Sequence, residues 1–163
     1  MLIHSTNTLA PDTVEVHTDR QTGNRSLFSK SAFRAGDTIS DFYWSDVFPV
    51  PSYLTVQIGE GEHISLLPSY LDCINHSCDP NVFFDIDQKR VVCIKPVGPG
   101  EEITFFYPST EWRMERPFRC LCQSPHCLHK IAGAQFLTRD EQQRYRFTSF
   151  IKKKLASVYG LSS

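Results

Sequence analysis

Three cysteines close together in the C-terminal half constrain the fold of this chain more than any other feature. Cys120, Cys122 and Cys127 form a C-x-C-x4-C cluster. Three thiolates need a fourth ligand to complete a tetrahedral zinc site, and the surroundings of Cys78 set it apart as the candidate, because it lies in the run Asn-His-Ser-Cys-Asp-Pro-Asn at residues 75–81. A metal bound by these four thiols would attach the C-terminal part of the chain to a segment far upstream.

The cysteines also admit a second interpretation, because six cysteines in a secreted chain can form three disulfides. His126 and His129 lie close enough to the cluster to compete as ligands. The clustering of three thiols, and the positions of Cys73 and Cys93 inside apolar runs, favour a metal site plus two buried thiols. A chain of this kind is typical of a reducing compartment.

Length and composition are those of one ordinary globular domain, with 163 residues of which 40% are hydrophobic and 21% are charged. A net charge of -1 provides no whole-molecule attraction for nucleic acids or anionic membranes, so we expect no direct partner of either kind. No apolar stretch approaches the roughly 20 residues of a membrane span, and residues 1–5 lack the pattern of a secretory signal. We therefore expect an intracellular protein, nuclear or cytoplasmic, while its oligomeric state has no signature in the sequence.

Short strands dominate the predicted secondary structure. Apolar runs separated by turn residues predict three strands, near residues 14–17, 26–29 and 38–43. Two hairpins are predicted after them, one over residues 53–66 and a stronger one over 82–94, followed by a last strand at 103–107. The expected class is mostly β, of the α+β type.

One helix is predicted at the C-terminus, over residues 138–160. Thr138 and Glu141 form the Thr-x-x-Glu pattern of a capping box, and Gly160 is a typical C-terminal stop. Apolar residues recur at intervals of three or four, so one face of this helix is expected to pack against the strands through Phe147, Ile151, Leu155 and Val158.

Three motifs in register resemble those of the SET-domain methyltransferases with their post-SET zinc motif. They are Ile-Asn-His-Ser-Cys-Asp-Pro-Asn at residues 74–81, Gly-Glu-Glu-Ile-Thr-Phe-Phe-Tyr at 100–107, and the cysteine cluster. The resemblance extends upstream through Arg25-Ser26-Leu27-Phe28. It implies small curved β-sheets with a threaded C-terminal segment. The implied divisions are a SET domain over residues 12–118, a post-SET zinc motif over 119–133, and the 138–160 helix packing on the same domain.

The activity that this resemblance implies is N-methylation of lysine with S-adenosylmethionine. Tyr107, which closes the second motif, matches the catalytic tyrosine whose hydroxyl orients the amine. Phe105 lies in the implied lysine channel, at the position where a hydroxyl in relatives limits how many methyl groups are added. Phenylalanine has no hydroxyl, and aromatic faces tolerate methylated ammonium groups through cation–π attraction, so we expect a dimethyl or trimethyl product.

The same resemblance implies contacts to the cofactor S-adenosylmethionine. Asn75 and His76 match cofactor-binding positions, the first through a side-chain amide that can donate and accept, the second chiefly through its backbone near the adenine. Phe118 or Trp112 is expected to stack on the adenine. The zinc is expected to be structural, because four thiolates leave no open position, and its ligands would be Cys78, Cys120, Cys122 and Cys127.

The chain departs from the family pattern beside the methionine moiety of the cofactor. Where relatives have Gly-x-Gly before Leu-Phe, this sequence has Asn24-Arg25-Ser26 before Leu27. Asparagine tolerates unusual backbone angles and serine is small, so Arg25, Ser26 and Leu27 are still expected to contact the cofactor.

A protein lysine, in a histone or another basic tail, is the substrate that the family pattern favours. Two alternatives stay open. One is methylation of free lysine or another small-molecule amine, and the other is a catalytically weak SET module that acts by binding, since a fold does not determine a function. The acidic residues that stand out as attractions for a basic tail are scattered, and they are Asp41, Asp46, Glu60 and Glu62.

Overall fold

The computed structural model describes residues 11–160, so residues 1–5, on which the expectation about a secretory signal rests, lie outside the described part. The strands in this range are β1 Val14–Thr18, β2 Arg25–Ser29, β3 Thr38–Asp41, β4 Val47–Phe48, β5 Thr55–Gly59, β6 Glu62–Ser65, β7 Asn75–His76, β8 Val82–Asp85, β9 Arg90–Cys93, β10 Thr104–Phe105, β11 Phe118–Arg119 and β12 Lys130–Ile131. The helices are α1 Arg139–Gln143, α2 Ser149–Tyr159 and three 3-10 helices at Ser69–Cys73, Tyr107–Ser109 and Ala134–Phe136. Within residues 11–160, none of the helices combines the length and apolar character needed to cross a membrane.

The strands form several small sheets rather than one continuous sheet. β1 pairs with β2 and β11 pairs with β12, both antiparallel, while two sheets have three strands in the orders β3-β9-β8 and β4-β6-β5. Both predicted hairpins are confirmed, since β5 pairs antiparallel with β6 and β8 with β9. The predicted class, mostly β with small sheets and helix at the C-terminus, is therefore confirmed.

The parallel pairing of β7 with β10 joins the two central sequence motifs. Asn75 faces Thr104 and His76 faces Phe105 across the pair. Immediately after β7, the backbone N–H of Ser77 donates to the carbonyl of Phe105 at 3.0 Å, so the two segments stay hydrogen-bonded beyond the paired residues. Two segments that are far apart in sequence thereby lie side by side, and every later element of the site is built around them.

The predicted strand at residues 103–107 is shorter than expected. Only Thr104–Phe105 is paired, and Tyr107 begins a 3-10 helix. Pro108 explains the change, because proline has no N–H to donate to a sheet and is favoured in the first turn of a helix. The backbone N–H groups of Thr110 and Glu111 both donate to the carbonyl of Tyr107 at 3.1 Å, and these bonds turn the chain sharply.

The main core lies between the sheets and contains fully buried side chains such as Leu27, Ile64, Phe84 and Ile103. Burial of one such side chain stabilises a fold by about 1.5–3 kcal/mol. Cys73 and Cys93 are buried free thiols, as the sequence predicted. A second apolar cluster lies against α2, and its buried members are Phe106, Ala134, Leu137, Phe147, Ile151 and Leu155.

The prediction of a single helix over residues 138–160 is wrong, because this segment forms two helices in the structure. The capping box of Thr138 and Glu141 is present, yet α1 ends at Gln143. α2 begins after Thr148, whose hydroxyl accepts from the N–H of Ile151.

Tertiary contacts made between the two helices account for the break. The ring of Tyr145 stacks on Phe106 with centroids 3.6 Å apart, and its hydroxyl donates to the carbonyl of Cys78 at 2.8 Å. The N–H of Thr148 donates to the carbonyl of Ser109 at 3.0 Å. A continuous helix would lose these contacts, so tertiary structure overrides the helical periodicity here.

The predicted apolar face is confirmed only in part. Ile151 and Leu155 are buried in α2, and Phe147 is buried although it precedes the helix. Val158 is 58% exposed, so its assignment to the packed face is wrong. Gly160 ends α2 in the left-handed conformation with a φ of 63°, as a glycine stop predicts.

Candidate active site

Two adjoining cavities lie beside the β7–β10 pair. The inner cavity has a volume of about 190 Å³ and is lined mainly by apolar side chains, including Ile74, Phe84 and Phe105. The outer cleft is larger, about 780 Å³, and is lined by polar residues such as Asn75 and His76. The residues that line both are Tyr53, Leu54, Asp72, Tyr107 and Phe118. A wide polar cleft therefore adjoins a narrow apolar cavity, and Tyr107 belongs to both.

Tyr107 is held by its backbone and leaves its hydroxyl weakly engaged. Its N–H donates to Nδ1 of His76 at 3.1 Å, while its hydroxyl donates to the carbonyl of Ile74 over a long 3.4 Å. Burial raises the pKa of the phenol to about 12, so the hydroxyl stays protonated near neutral pH. A neutral phenol with free lone pairs is suited to orient a nitrogen placed between the two cavities.

The wall around Tyr107 is aromatic. Phe105 packs against Phe84 with centroids 4.5 Å apart and against Tyr107 at 4.7 Å, and Phe118 meets Tyr107 edge-on at 5.9 Å. Among these four aromatic side chains, Tyr107 alone has a hydroxyl group. Such a wall can surround an alkylated ammonium group, because ring faces attract cations without requiring hydrogen bonds.

Three carboxyl groups line the inner cavity, and none of them was anticipated from the sequence: Glu111 is buried, Asp72 is half-buried and Glu115 is exposed. Glu111 is only 8% exposed, and its Oε1 accepts from the N–H of Gln57 at 3.1 Å and from the hydroxyl of Thr110 at 3.3 Å. Burial raises its pKa to about 8. The four acidic residues that stood out in the sequence line neither cavity. Glu111 is distinguished by its burial and by its position in the wall of the cavity. The residues next to it in the sequence indicate neither property.

Asp72 is the second of these carboxyl groups and lines both the inner cavity and the outer cleft. Its Oδ1 is buried and has no hydrogen-bond partner among residues 11–160. Burial raises its pKa to about 6, and the guanidinium of Arg25 opposes that rise. An unpartnered buried oxygen is costly in a folded protein, so its position on the boundary between the cavities favours a ligand that donates to it.

Hydrogen bonds from the side-chain amide of Asn75 connect several segments at the rim of the outer cleft. Its Nδ2 donates to the carbonyl of Arg25 at 2.9 Å, to Oγ of Ser26 at 3.0 Å and to Oε1 of Glu102 at 3.3 Å. The donor side of this amide is thus occupied within the chain. Of the three residues predicted around the missing Gly-x-Gly, Arg25 lines the cleft, Ser26 supports it through Asn75, and Leu27 is buried in the core.

A glycine does occur at this rim, one position earlier than the sequence comparison placed it. Gly23 lines the outer cleft together with Asn24 and has a φ of +74°, a conformation that side chains rarely adopt. It lies among the turn residues that the sequence placed between the strands near residues 14–17 and 26–29, with no role in a site predicted for it.

The structure separates the two aromatic candidates for adenine stacking. Phe118 lines both cavities, whereas Trp112 lines neither. The Trp112 ring packs on the apolar cluster against α2, with Nζ of Lys154 5.2 Å from its centroid. Of the two candidates, Phe118 alone is therefore in a position to contact a molecule in the cleft.

The four predicted metal ligands come together. The Sγ atoms of Cys78, Cys120, Cys122 and Cys127 all lie within 4.8 Å of one another, and those of Cys78 and Cys120 are 3.9 Å apart. Four thiolates around zinc at about 2.3 Å would be separated by about 3.8 Å, so this donor set fits a tetrahedral Zn²⁺. Among the described residues, neither His126 nor His129 belongs to the group.

His76 connects the cysteine cluster with Tyr107. Because its Nδ1 accepts from the Tyr107 N–H, a neutral ring carries its proton on Nε2, which lies 3.4 Å from Sγ of Cys78. Burial lowers the pKa of His76 to about 4, which favours the neutral ring. If a metal is bound by the cluster, the His76 N–H would therefore donate a hydrogen bond to one of its sulfur ligands, Sγ of Cys78, while Nδ1 of the same ring holds the backbone of Tyr107.

Comparison with known proteins relates this chain to one family. The SET domain family model matches residues 52–108. Methyltransferase flvH of Aspergillus flavus is 38% identical over 148 residues, a match that covers 90% of this chain and 83% of that protein. The histone-lysine N-methyltransferase set9 of Schizosaccharomyces pombe is 32% identical over 111 residues, which cover 60% of this chain but only 25% of that protein.

Solved structures of KRYPTONITE have a similar fold. Its complex with mCHH DNA, H3(1-15) peptide and SAH matches with a TM-score of 0.52 and 24% identity, over 72% of this chain and 29% of that one. Its complex with mCHG DNA and SAH matches with a TM-score of 0.54 and 22% identity, over 72% and 28% of the two chains. At these identities the likeness shows the fold alone.

Proposed function

Because this chain belongs to the SET-domain methyltransferase family, we propose that it is an S-adenosylmethionine-dependent lysine N-methyltransferase acting on a protein lysine, with a histone tail as the first candidate. The observation that carries the proposal is the position of Tyr107 in the wall shared by the inner cavity and the outer cleft. A methyl donor in the cleft and an amine in the cavity would meet at its hydroxyl.

The outer cleft suits the cofactor. Its volume of about 780 Å³ is within the usual range for small-molecule sites, and its walls offer Arg25 as a cation, Asp72 as a carboxyl group and Phe118 as an aromatic surface. S-adenosylmethionine has an amino-acid end with both charges and an adenine ring, so these groups match its chemistry. When bound, the cofactor supplies a methyl group on a positively charged sulfur.

The inner cavity suits the amine. A lysine amine has a pKa near 10.4, so at pH 7 about one molecule in 2,500 is neutral, and forming the nucleophile costs about 4.6 kcal/mol. Burial between Phe105, Phe84 and Tyr107 disfavours the cation, which reduces this cost. The Tyr107 hydroxyl and the Ile74 carbonyl would then hold the nitrogen in line with the methyl group.

A structural zinc ion completes the proposal. Cys78, Cys120, Cys122 and Cys127 would all bind it, leaving no position for water, so the ion would organise the cleft and take no part in the chemistry. Thiolates remain available for zinc in reducing compartments, so we place the protein inside the cell, in the nucleus or the cytoplasm.

Substrate class and product are the finer parts of the proposal. The relative set9, which is named as a histone-lysine N-methyltransferase, supports a protein lysine, although the match covers only 25% of set9. Phe105, which has no hydroxyl to hold water beside the amine, supports a dimethyl or trimethyl product. Free lysine or another small amine is the second candidate, favoured by the carboxyl groups of the half-buried Asp72 and the buried Glu111 in the inner cavity.

Transfer of labelled methyl groups tests the proposal. The protein is incubated with labelled S-adenosylmethionine and, in parallel, with a histone mixture or with free lysine and simple amines, and mass spectrometry counts the methyl groups added. Label on a protein lysine supports the first candidate, and label on free amines alone supports the second. No transfer to any amine, together with no heat on titration with S-adenosylhomocysteine, would overturn both and leave the binding module.

A further inference from the structure

We propose that Glu111 accepts the proton of the substrate ammonium in the inner cavity. This inference rests on the proposed function and extends it, because it assigns a catalytic group to the step that makes the amine nucleophilic. It also defines the substrate as an amine that enters in its cationic form.

Glu111 and Tyr107 are held on the same turn of backbone. The N–H of Glu111 donates to the carbonyl of Tyr107 at 3.1 Å, and both side chains line the inner cavity. Pro108 favours this turn, because it cannot donate to a sheet and lies in the 3-10 helix Tyr107–Ser109 that follows β10. A nitrogen oriented by the Tyr107 hydroxyl would therefore lie in the same cavity as the carboxyl group.

The carboxyl group of Glu111 has one oxygen engaged and one available. Oε1 accepts from the N–H of Gln57 and from the hydroxyl of Thr110, which restrict the rotation of the side chain. Among the hydrogen bonds formed by residues 11–160, those to the Glu111 carboxyl group are accepted by Oε1 and none by Oε2. A restrained carboxylate with one oxygen unengaged is suited to receive a proton from a bound molecule.

No cation of the described chain pairs with Glu111. The other ionisable groups that line the inner cavity are Asp72, Tyr107, Glu115 and Arg116, and the last two are exposed. The strand β5, which supplies the Gln57 N–H, has no charged side chain. A buried carboxylate without a counter-ion is costly, and a substrate ammonium would supply the missing charge.

The proton transfer balances without any further reactant. The N–H bond of the ammonium breaks, its electron pair remains on nitrogen, and the proton goes to Oε2 of Glu111. The nitrogen pair then forms the new N–C bond while the C–S bond breaks and its pair remains on sulfur. Glu111 returns its proton to solvent through the mouth of the cavity before the next turnover. Its raised pKa, about 8, is close to the working pH, as effective proton acceptors require.

Glu111→Gln separates this role from a structural one. The glutamine oxygen can still accept from Gln57 and Thr110, so the local bonds are kept while the basic group is lost. Glu15→Gln is the matched control, because it removes the same charge from an exposed side chain on β1.

The decisive measurement is kcat/KM against pH with a lysine substrate. In the wild type, kcat/KM should rise up to about pH 8, where Glu111 ionises, and then stay level until the free amine loses its proton near 10.4. In Glu111→Gln the break near pH 8 should be absent, and the rate at pH 8 should fall about 100-fold. An unchanged profile and rate in a folded Glu111→Gln would overturn the proposal.

A binding experiment keeps the inference separate from the proposed function. n-Butylamine is titrated into each protein saturated with S-adenosylhomocysteine at pH 8, with heat as the readout. The affinity should fall at least about tenfold in Glu111→Gln, through loss of a charge-assisted bond, and be unchanged in Glu15→Gln. Equal affinity in all three proteins would overturn the inference even if methyl transfer is observed. Absence of methyl transfer in the wild type, together with the expected loss of amine affinity in Glu111→Gln, would overturn the proposed function and leave Glu111 as a binding group for the ammonium.

Should Glu111→Gln fail to fold, Glu111→Asp provides the second test. The shorter side chain keeps the basic group but withdraws it from the nitrogen. The break in the pH profile should remain while kcat falls at least about tenfold. A kcat equal to that of the wild type would contradict proton transfer to this residue.

Discussion

Nδ1 of His76 accepts a hydrogen bond from the backbone N–H of Tyr107 at 3.1 Å. The parallel register of β7 and β10 makes this bond possible, because it sets His76 opposite Phe105, two residues before the tyrosine. The other ring nitrogen of His76 faces Sγ of Cys78 at 3.4 Å. The cysteine cluster, the outer cleft and the inner cavity are therefore linked through one side chain, and damage to any of them is expected to affect the others.

Tyr107→Phe should lower kcat about 100-fold or more with a lysine substrate, because the hydroxyl that orients the amine is lost. The affinity for S-adenosylhomocysteine, measured by titration calorimetry, should stay within about twofold, since the ring still fills the shared wall. Tyr43→Phe removes a hydroxyl from a side chain that is 61% exposed and serves as the control. A Tyr107→Phe protein as active as this control would refute the catalytic role of the phenol.

Metal analysis should find one zinc ion for each chain. Cys122→Ser should lose the metal and most of the activity, and it should melt at a lower temperature, by about 2–4 °C for each kcal/mol of lost stability. Cys93→Ala also removes a thiol, but one buried outside the cluster, and should keep the zinc. Retention of one zinc by Cys122→Ser would show that this thiol is not a ligand.

Phe118→Leu should weaken binding of S-adenosylhomocysteine about tenfold, because stacking of a base on an aromatic ring contributes about 1–3 kcal/mol. Trp112→Phe should leave this affinity unchanged, since the tryptophan ring packs toward α2 and lines neither cavity. Calorimetry on both variants decides between the two residues. Equal losses in the two variants would contradict the separation seen in the structure.

Phe105→Tyr should shift the product from dimethyl or trimethyl lysine to monomethyl lysine. The ring lies 4.7 Å from that of Tyr107, so an added hydroxyl would reach the space beside the amine and hold water where a further methyl group would fit. Mass spectrometry of the product from both proteins measures the change. A wild-type protein that stops after one methyl group would contradict the assignment of Phe105.

Glu111 should make stability depend on pH. Burial raises its pKa from the ordinary 4.5 to about 8, so the folded protein binds more protons than the unfolded chain between these values. The free energy of unfolding should therefore fall as pH rises through this interval, by at most about 1.4 kcal/mol for each pKa unit. Glu111→Gln, which carries no charge, should gain stability relative to the wild type over the same interval. Urea unfolding of both proteins at pH 5 and pH 8.5 tests this, and parallel stability curves would contradict it.

The grouping of the four cysteines and the position of Tyr107 beside the two cavities were predictable because their sequence signals are local. The spacing of Cys120, Cys122 and Cys127, and the run that contains Cys78, need no knowledge of distant contacts to be recognised. Period-two alternation likewise predicted the hairpins β5–β6 and β8–β9, since neighbouring strands joined by a turn pair with each other.

The break between α1 and α2 was missed for the opposite reason. Helical periodicity and a capping box are present from Thr138 onwards, but Tyr145 packs on Phe106 and bonds to Cys78, which lies 67 positions earlier in the chain. A local pattern contains no information about such a partner. The choice between Trp112 and Phe118 stayed open for the same reason, because a linker position alone does not tell whether a ring lines a cavity, and of the two only Phe118 does.

Features that depend on residue type and spacing were determined by the amino-acid sequence of this protein alone: the four thiols that could hold one metal, the tyrosine that closes its motif, and the alternating strands. Glu111 and Asp72 acquired their importance only when the folded chain buried them beside the inner cavity, with Gln57 and Thr110 holding the first and no partner for Oδ1 of the second. The physical reason is that the properties of a carboxyl group depend on desolvation and on nearby donors, and both are set by segments that meet only after folding.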